Sequence, residues 1–569
     1  MLFNSYIFIF LFLPICAAGF CLLKRYSATC AKVWLIGFSL WFYGYFNIGY
    51  LAIMVGSILF NYAVYRLIVY EGKRSATATS AASGSSKHPG RTPLIIGILG
   101  NVALLGYFKY TDFLIDGCNH IFRMDLPLKH ILLPLGISFF TFQQIGFLAD
   151  SYRDYDHVSG LRENGDTSDA DAEYDRDVIT YGFIDYALFV SFFPQLIAGP
   201  IADRDSMMPQ YMSIGHKKRI DDEVGEDVEA AGLPVSTPAA DTQRERAARG
   251  IALFILGLSK KVLIADTFGR AVDYSYGALG TGVNSAEAVL TILFYTLQLY
   301  FDFSGYCDMA LGLGWMFGID IPVNFDSPYK SRNIIEFWRR WHITLNKFLT
   351  KNIYIPLGGN RKGQVRTYVN LLIVFLISGI WHGAGVTFII WGCMHGLMVV
   401  LTRMVMNLDR DRHAGTDISQ DDGITPAAAS EDKGRIGSGI ISGVITFIFV
   451  CVAWVFFRAP DVASACDMLK SVFTGGFGRI GDGFLEGFNS GEFWYALKVL
   501  HLTNFSFSRY ILMSLFALFG ITVVFRAPNS IEMSRTMRYN IPRGILLGLL
   551  FVWCVLSLSG VSTFLYFNF

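Results

Sequence analysis

Two histidines stand out as residues that can do chemistry. His382 lies in the middle of residues 367–402, a stretch with no Asp, Glu, Lys or Arg, within Trp381-His382-Gly383-Ala384-Gly385. A titratable side chain inside an otherwise membrane-grade apolar run is costly to keep, and by default it marks a functional site. A neutral imidazole can take the proton of an attacking hydroxyl at neutral pH. His342 closes the run Trp338-Arg339-Arg340-Trp341-His342 in a basic, aromatic segment, 324–366. That segment carries nine Lys/Arg, among them Lys347 and Arg361, against two acids, Asp326 and Glu336. Such cations, with the backbone amides of the Gly358–Gly363 turn, suit phosphate groups. By the positive-inside rule the segment is cytoplasmic, and it reads as the face that receives a phosphorylated donor.

The spacing around His382 predicts a break. Thr367 to Ile380 is a run of fourteen residues without charge, roughly 21 Å of helix, too short to cross a hydrocarbon core of about 30 Å. Gly379, Gly383 and Gly385 then surround His382, and a fresh apolar run starts at Val386. The expectation is a bent or broken helix pair with His382 at the break, deep in the membrane. Irregular backbone at that depth must be buried in protein or line a cavity, so His382 is expected to line a tunnel. Trp381 and His395 are further candidates for its wall.

Each of these residues also has a plainer reading. The basic run can anchor anionic lipids, and Trp338 and Trp341 can belong to an interfacial belt. His342 and His395 can be hydrogen-bonded structural histidines, and Asp302 and Asp308 can pack helices or pair with a cation. A metal site is not expected, because the histidines lack short ligand spacing and a supporting Cys or carboxylate cluster. No G-x-S-x-G lies near the site, so no serine nucleophile elbow is read there.

The rest of the chain must hold these groups in a bilayer. Of 569 residues, 53% are hydrophobic and only 16% charged, against about 25% charged in soluble domains. Apolar runs of membrane-spanning length recur throughout. The composition implies an all-α, multi-spanning membrane protein of roughly eleven to thirteen membrane segments. Residues 2–23 have no basic start and read as a retained first span rather than a signal peptide. In 131–150 the amides of Gln143 and Gln144 and the carboxylate of Asp150 are expected to face a bundle interior. Residues 180–200 end in Pro194, Gly199 and Pro200, which break a helix. Polar stretches 75–92, 151–178, 203–246 and 407–436 read as loops or linkers. The nine cysteines form no C-x-x-C pair, which argues against a disulfide framework. The organisation read from these runs is N-terminal helices (1–130), helices with charged linkers (131–323), a catalytic core (324–402) and C-terminal helices (403–569). Lipids are expected partners and nucleic acid is not.

Several motifs carry a resemblance. They are FDFSGYCDMALGLGWMFGIDIPVNFDSPY (301–329), EFWRRWHITL (336–345), YIPLGGNR (354–361) and GIWHGAGVTFIIWGCMHG (379–396), with LPLGISFFTFQQIGFLAD (133–150) and FFPQLIAGPI (192–201) upstream. Together they resemble the membrane-bound O-acyltransferases, in the bacterial branch that serves alginate O-acetylation. Gly385 departs from relatives that often carry Asn there. The resemblance implies a helical bundle around a central tunnel, with broken or re-entrant segments. It implies His382 as principal catalytic residue and His342 as its partner. Trp338, Arg339, Arg340, Trp341, Lys347, Arg361, Trp381 and His395 are then candidates for binding donor or lining the tunnel. It further implies acetyl-CoA as a cytoplasmic acyl donor with no permanently bound cofactor, and a bacterial inner-membrane location. The expected partners are a periplasmic SGNH-hydrolase-like protein and a polysaccharide synthesis and export complex, with alginate or cellulose as acceptor. Two alternatives stay open: D-alanyl transfer from a carrier-protein thioester to an envelope polymer, and, from another class, a transporter with broken mid-membrane helices.

Overall fold

The computed structural model describes residues 1–77, 90–163, 180–215, 242–413, 436–489, 498–499, 507–560 and 564–565. Among these the chain is helical throughout, with no strand beyond a single bridge between Phe325 and Trp341. Seven helices are long and apolar enough to cross a membrane, and Phe8–Leu23 and Ile541–Leu556 are shorter apolar ones. The protein is therefore an all-α, multipass membrane protein, as its composition implies. Most of stretches 75–92 and 407–436, the later part of 151–178 and residues 216–241 lie outside the described residues.

The helices fall into two compact units. One holds Met1, the described residues from 7 to 215, and residues 317–322; the other holds residues 2–6, 242–316 and the described residues from 323 onwards.

The first unit contains α1 (Phe8–Leu23), α2 (Ala28–Gly44), α3 (Ile48–Thr77), α4 (Arg91–Phe122), α5 (Ile137–Glu163), α6 (Phe183–Ser191) and α7 (Arg204–Met212). Buried amides join its helices, since a side-chain dipole in an apolar bundle must find a partner. Asn61 on α3 and Asn101 on α4 exchange hydrogen bonds of 3.2 and 2.6 Å. Gln144 on α5 donates to Ser57 Oγ at 2.9 Å, Tyr186 donates to Gln144 Oε1 at 3.1 Å, and Gln143 donates to the Phe189 carbonyl at 2.7 Å. The inward-facing amides expected of 131–150 are thus observed. Two elements differ from expectation. The helix of that segment starts at Ile137 and runs to Glu163, so the acidic stretch begins as helix. Pairs at helical spacing support it, Arg153 with Asp150 at 2.6 Å and Tyr152 with Asp156 at 3.1 Å. In 180–200 only α6 and a one-turn Phe193–Leu196 helix form, because Pro194 cannot continue the helix behind it.

The second unit contains α8 (Gln243–Ser259), α9 (Asp266–Gly277), α10 (Ser285–Phe317), α11 (Ile334–Arg340), α12 (Ile343–Leu349), α13 (Gln364–His382), α14 (Val386–His413), α15 (Ile436–Arg458), α16 (Val462–Thr474), α17 (Ser508–Arg526) and α18 (Ile541–Leu556). Helix α10 is continuous over 33 residues. It meets α8 through glycines. A Cβ on Gly257 would stand 2.6 Å from the Gly305 carbonyl oxygen, and one on Gly250 2.5 Å from that of Gly312. This close approach lets Lys260 reach Asp308 and Lys261 reach Asp302, each at 2.6 Å. Both aspartates therefore pair with a cation, one of the two roles expected of them.

Helices α13 and α14 form a tight hairpin that sets the site. A Cβ on Gly379 would run into the Phe388 carbonyl oxygen, and one on Gly392 would stand 2.5 Å from that of Phe375. Gly383, in extended conformation (φ −162°, ψ 153°), ends α13, and its missing side chain is replaced by the Phe388 ring. The helix break is where the glycines predict it. The length of α13 is a correction: its 19 residues reach roughly 28 Å, enough to cross, so His382 is the last residue of a spanning helix rather than the end of a half-helix. Gln364, Val365 and Arg366 add the missing turn, because the chain does not break until Gly363 (φ 86°).

We expect Gly379→Ala and Gly392→Ala each to cost about 1–3 kcal/mol by forcing the helices apart, read as a lowered Tm of the purified protein. At Gly385 a Cβ meets only ordinary contacts of 3.5–3.9 Å. Gly385→Asn is expected to leave Tm unchanged, and a loss equal to the other two would contradict the packing argument.

Candidate active site

His382 and His342 converge. Their ring centroids lie 6.4 Å apart at 78°, with Trp381 beside both, 4.9 Å from His382 and 6.1 Å from His342. Both histidines are buried, 3% and 0% exposed, and both belong to the second unit. Forty residues of separation are closed by the break after Gly363 and the return of α13.

Each ring is oriented by its Nδ1. At the end of α13, His382 Nδ1 donates to the Ser378 carbonyl one turn earlier, at 2.6 Å. A carbonyl oxygen only accepts, so Nδ1 carries the hydrogen, and in the neutral ring Nε2 keeps the lone pair. His342 is held by a different device. It sits between α11 and α12 in the left-handed region (φ 46°, ψ 51°), which costs a non-glycine residue about 1–2 kcal/mol. Segment 324–326 grips it from both sides: Asp326 N–H donates to the Arg340 carbonyl and Ile343 N–H to the Asn324 carbonyl, both at 3.0 Å. The Asn324 side chain completes the grip. Its Oδ1 accepts from the Thr344 N–H at 3.2 Å and the Thr344 hydroxyl at 2.9 Å, and lies 3.1 Å from His342 Nδ1. The backbone N–H can only donate, which identifies that amide atom as the oxygen. His342 Nδ1 therefore donates too, leaving Nε2 with the lone pair. Phe303 packs edge-on against His342 at 4.9 Å.

Rings wall the remaining sides of His382. Trp391 lies 4.9 Å and Phe457 5.4 Å from it, centroid to centroid. His395, one turn beyond Trp391 on α14, is fully buried and has the opposite tautomer. Trp338 Nε1–H donates to its Nδ1 at 3.2 Å, which in the neutral ring puts the hydrogen on Nε2. Trp338 and Trp341 are 5% and 2% exposed, so they are core residues and not an interfacial belt.

The cationic candidates divide. Arg340 is committed to carboxylates, 3.0 Å from Glu336 and 3.6 Å from Asp326. Arg339, Lys347 and Arg361 are exposed. The structure thus gathers His342, His382, Trp338, Trp341, Trp381 and His395 into one aromatic cluster, with exposed cations among the others. Residues not singled out from sequence are Asn324, Ser378, Trp391, Trp454 and Phe457. Asn324 and Trp391 lie within quoted motifs, while Trp454 and Phe457 come from α15, far along the chain, with nothing local to mark them.

Chemically, two buried imidazoles with Nε2 lone pairs, near enough for one small group to touch both, are equipped for proton abstraction from a hydroxyl. Membrane-embedded acyl transfer without a nucleophilic serine fits such a pair. The chain belongs to the membrane-bound O-acyltransferase family, whose sequence model matches residues 128–429, a span that includes both histidines. It is similar to a peptidoglycan O-acetyltransferase of Helicobacter pylori, 40% identical over 83% of this chain and 80% of that protein. A probable alginate O-acetylase AlgI of Pseudomonas putida is 32% identical over the full length of both. A teichoic acid D-alanyltransferase of Streptococcus thermophilus is 27% identical over 52% of this chain and 66% of its own. The protein is an O-acyltransferase, and its homologues support O-acetylation of a polymer as its work.

Asn324→Ala removes the acceptor of three donors. We expect a stability loss of about 1–3 kcal/mol for each buried donor left unpaired and lower transferase activity. Asn324→Asp, which keeps the acceptors, is expected to retain more of both in thermal melts and membrane assays. Equal effects of the two would refute the positioning role.

Proposed function

We propose that this protein takes an acetyl group from cytoplasmic acetyl-CoA and passes it across a bacterial inner membrane for O-acetylation of an exported polysaccharide. The observation that carries the reading is the convergence of His342 and His382 with both Nδ1 atoms tied to amide oxygens. His382 Nε2 accepts the proton of the attacking hydroxyl as its oxygen bonds to the thioester carbonyl carbon, and later returns it to the departing thiolate. His342 assists from across the gap. The exposed cations Arg339, Lys347 and Arg361 meet the coenzyme A phosphates.

The alginate relatives support an exopolysaccharide acceptor of alginate type; a cellulose acceptor would use the same chemistry. The Helicobacter relative, with higher identity over most of both chains, favours glycan strands of peptidoglycan as a second reading. In either case a periplasmic hydrolase-like partner completes delivery. D-alanyl transfer has weaker support, since the D-alanyltransferase similarity covers about half of the chain.

His382→Ala is expected to lower transfer from radiolabelled acetyl-CoA in membranes by about 10²- to 10⁴-fold at equal protein level, and His342→Ala to lower it in the same direction. Unchanged transfer in His382→Ala would sink the assignment. O-acetyl content of sacculi and of secreted polymer in the same cells tells the two acceptors apart.

A further inference from the structure

Beside the two bases lies a cluster of hydrogen-bond donors with nothing to donate to. His395 Nε2 and Trp391 Nε1 are buried and have no acceptor among the described residues, while the Trp454 indole N–H faces the Tyr329 hydroxyl. Their rings are mutual neighbours: Trp391 to His395 at 4.8 Å, Trp391 to Trp454 at 5.7 Å and stacked within 20°, and His395 to Trp454 at 6.0 Å. His395 and Trp391 are 0% exposed and Trp454 1%. An indole N–H only donates, and His395 Nε2 donates as well, because its Nδ1 already accepts from Trp338 at 3.2 Å. Buried N–H groups in native proteins nearly always have an acceptor. Two lacking one, on adjoining rings, are the mark of a ligand that brings its own oxygen. The same Trp391 ring is 4.9 Å from His382, so that oxygen belongs to the group on which the base acts.

We infer that Trp391 and His395 form the site for the carbonyl oxygen of the acyl donor, and that their N–H groups hold the oxyanion formed on attack. The inference rests on the reading above that the donor is an acyl thioester. As the acceptor oxygen bonds to the carbonyl carbon and its proton passes to His382 Nε2, the carbonyl π pair moves onto oxygen and is met by the two donors. Collapse restores the carbonyl, breaks the carbon–sulfur bond, and the thiolate takes the proton back from His382. Neutral donors already in place need no reorganisation as charge develops. Trp454, on α15 beyond residues 128–429 that the family model matches, stacks on Trp391 and supports it by packing.

The test compares two coenzyme A derivatives on the purified full chain in detergent: S-acetonyl-CoA, which carries a ketone, and S-propyl-CoA, which does not. Wild type is expected to bind the ketone about tenfold tighter. Trp391→Phe keeps a ring and deletes the donor; His395→Asn keeps an acceptor near Nδ1 and deletes Nε2–H. Each is expected to cut the ketone preference about three- to tenfold, with propyl-CoA binding unchanged, and to lower kcat by about a hundredfold with little change in KM. The two positions are separate tests, so one well-folded variant suffices. Variants that retain the preference overturn the inference. So do variants that lose both ligands equally, since the donors then serve another carbonyl or the fold alone. Wild type that binds both derivatives equally overturns the carbonyl site and leaves the donor reading standing; wild type that binds neither overturns the thioester reading itself.

Discussion

The approach of α13 to α14 at Gly379 and Gly392 is the constraint on which the candidate site depends. Packed helices ordinarily keep their axes 8–10 Å apart because side chains stand between them. Here each glycine faces a carbonyl oxygen of the other helix, with no room for a methyl group. Within a bilayer there is little hydrophobic drive to bring helices together, so close packing of small residues does that work. The consequence is local and chemical. Trp391, one residue before Gly392, comes within 4.9 Å of His382, and His395 follows one turn later. A side chain at either glycine would move a wall of the candidate site as well as a helix.

The second histidine reaches the same place by unlike means. His382 is carried on the end of a long helix and needs only the carbonyl of Ser378 to set its ring. His342 sits in a left-handed conformation, which is uncommon for a residue with a Cβ. Such strain persists only where the surroundings over-determine it. Those surroundings are two backbone hydrogen bonds to residues 324–326 and the three-way acceptor of Asn324. Both arrangements end in the same electronic result: hydrogen on Nδ1, lone pair on Nε2. That common outcome, from a helix on one side and a strained bridge on the other, is hard to attribute to packing alone.

Much of this was legible before any coordinates. His382 announced itself because an imidazole is conspicuous in 36 residues without an acid or a strong base (367–402), and the glycines around it marked the break. Gln143 and Gln144 pointed inward because amides cannot face lipid. What stayed hidden depends on pairing across the chain. Asn324 looks like any loop asparagine until Thr344 and His342 are folded onto it. The basic run gave no sign that Arg340 is occupied by Glu336 and Asp326 while Arg339 is exposed. Fourteen uncharged residues were taken as the length of a half-helix, yet Arg366 is tolerated in the first turn and the helix spans. Trp454 has no local signature, since its role comes from the ring against which it stacks.

The distribution of charge separates two kinds of recognition. Where the structure buries cations, at Lys260 and Lys261, it supplies each with an aspartate, and the charge is spent within the fold. Arg339, Lys347 and Arg361 instead remain exposed, where water solvates them and phosphates can displace it. Between these lies the cluster around His382, built from imidazole and indole rings without a fixed charge. A lysine or arginine placed there would require its own buried anion, and that anion would compete for the proton the base must take. Neutral N–H donors avoid the conflict: they are dipoles fixed by packing, strong in a dry site because little solvent screens them. On the proposed reading, charge selects the donor at the surface, and oriented neutral groups act on its carbonyl inside.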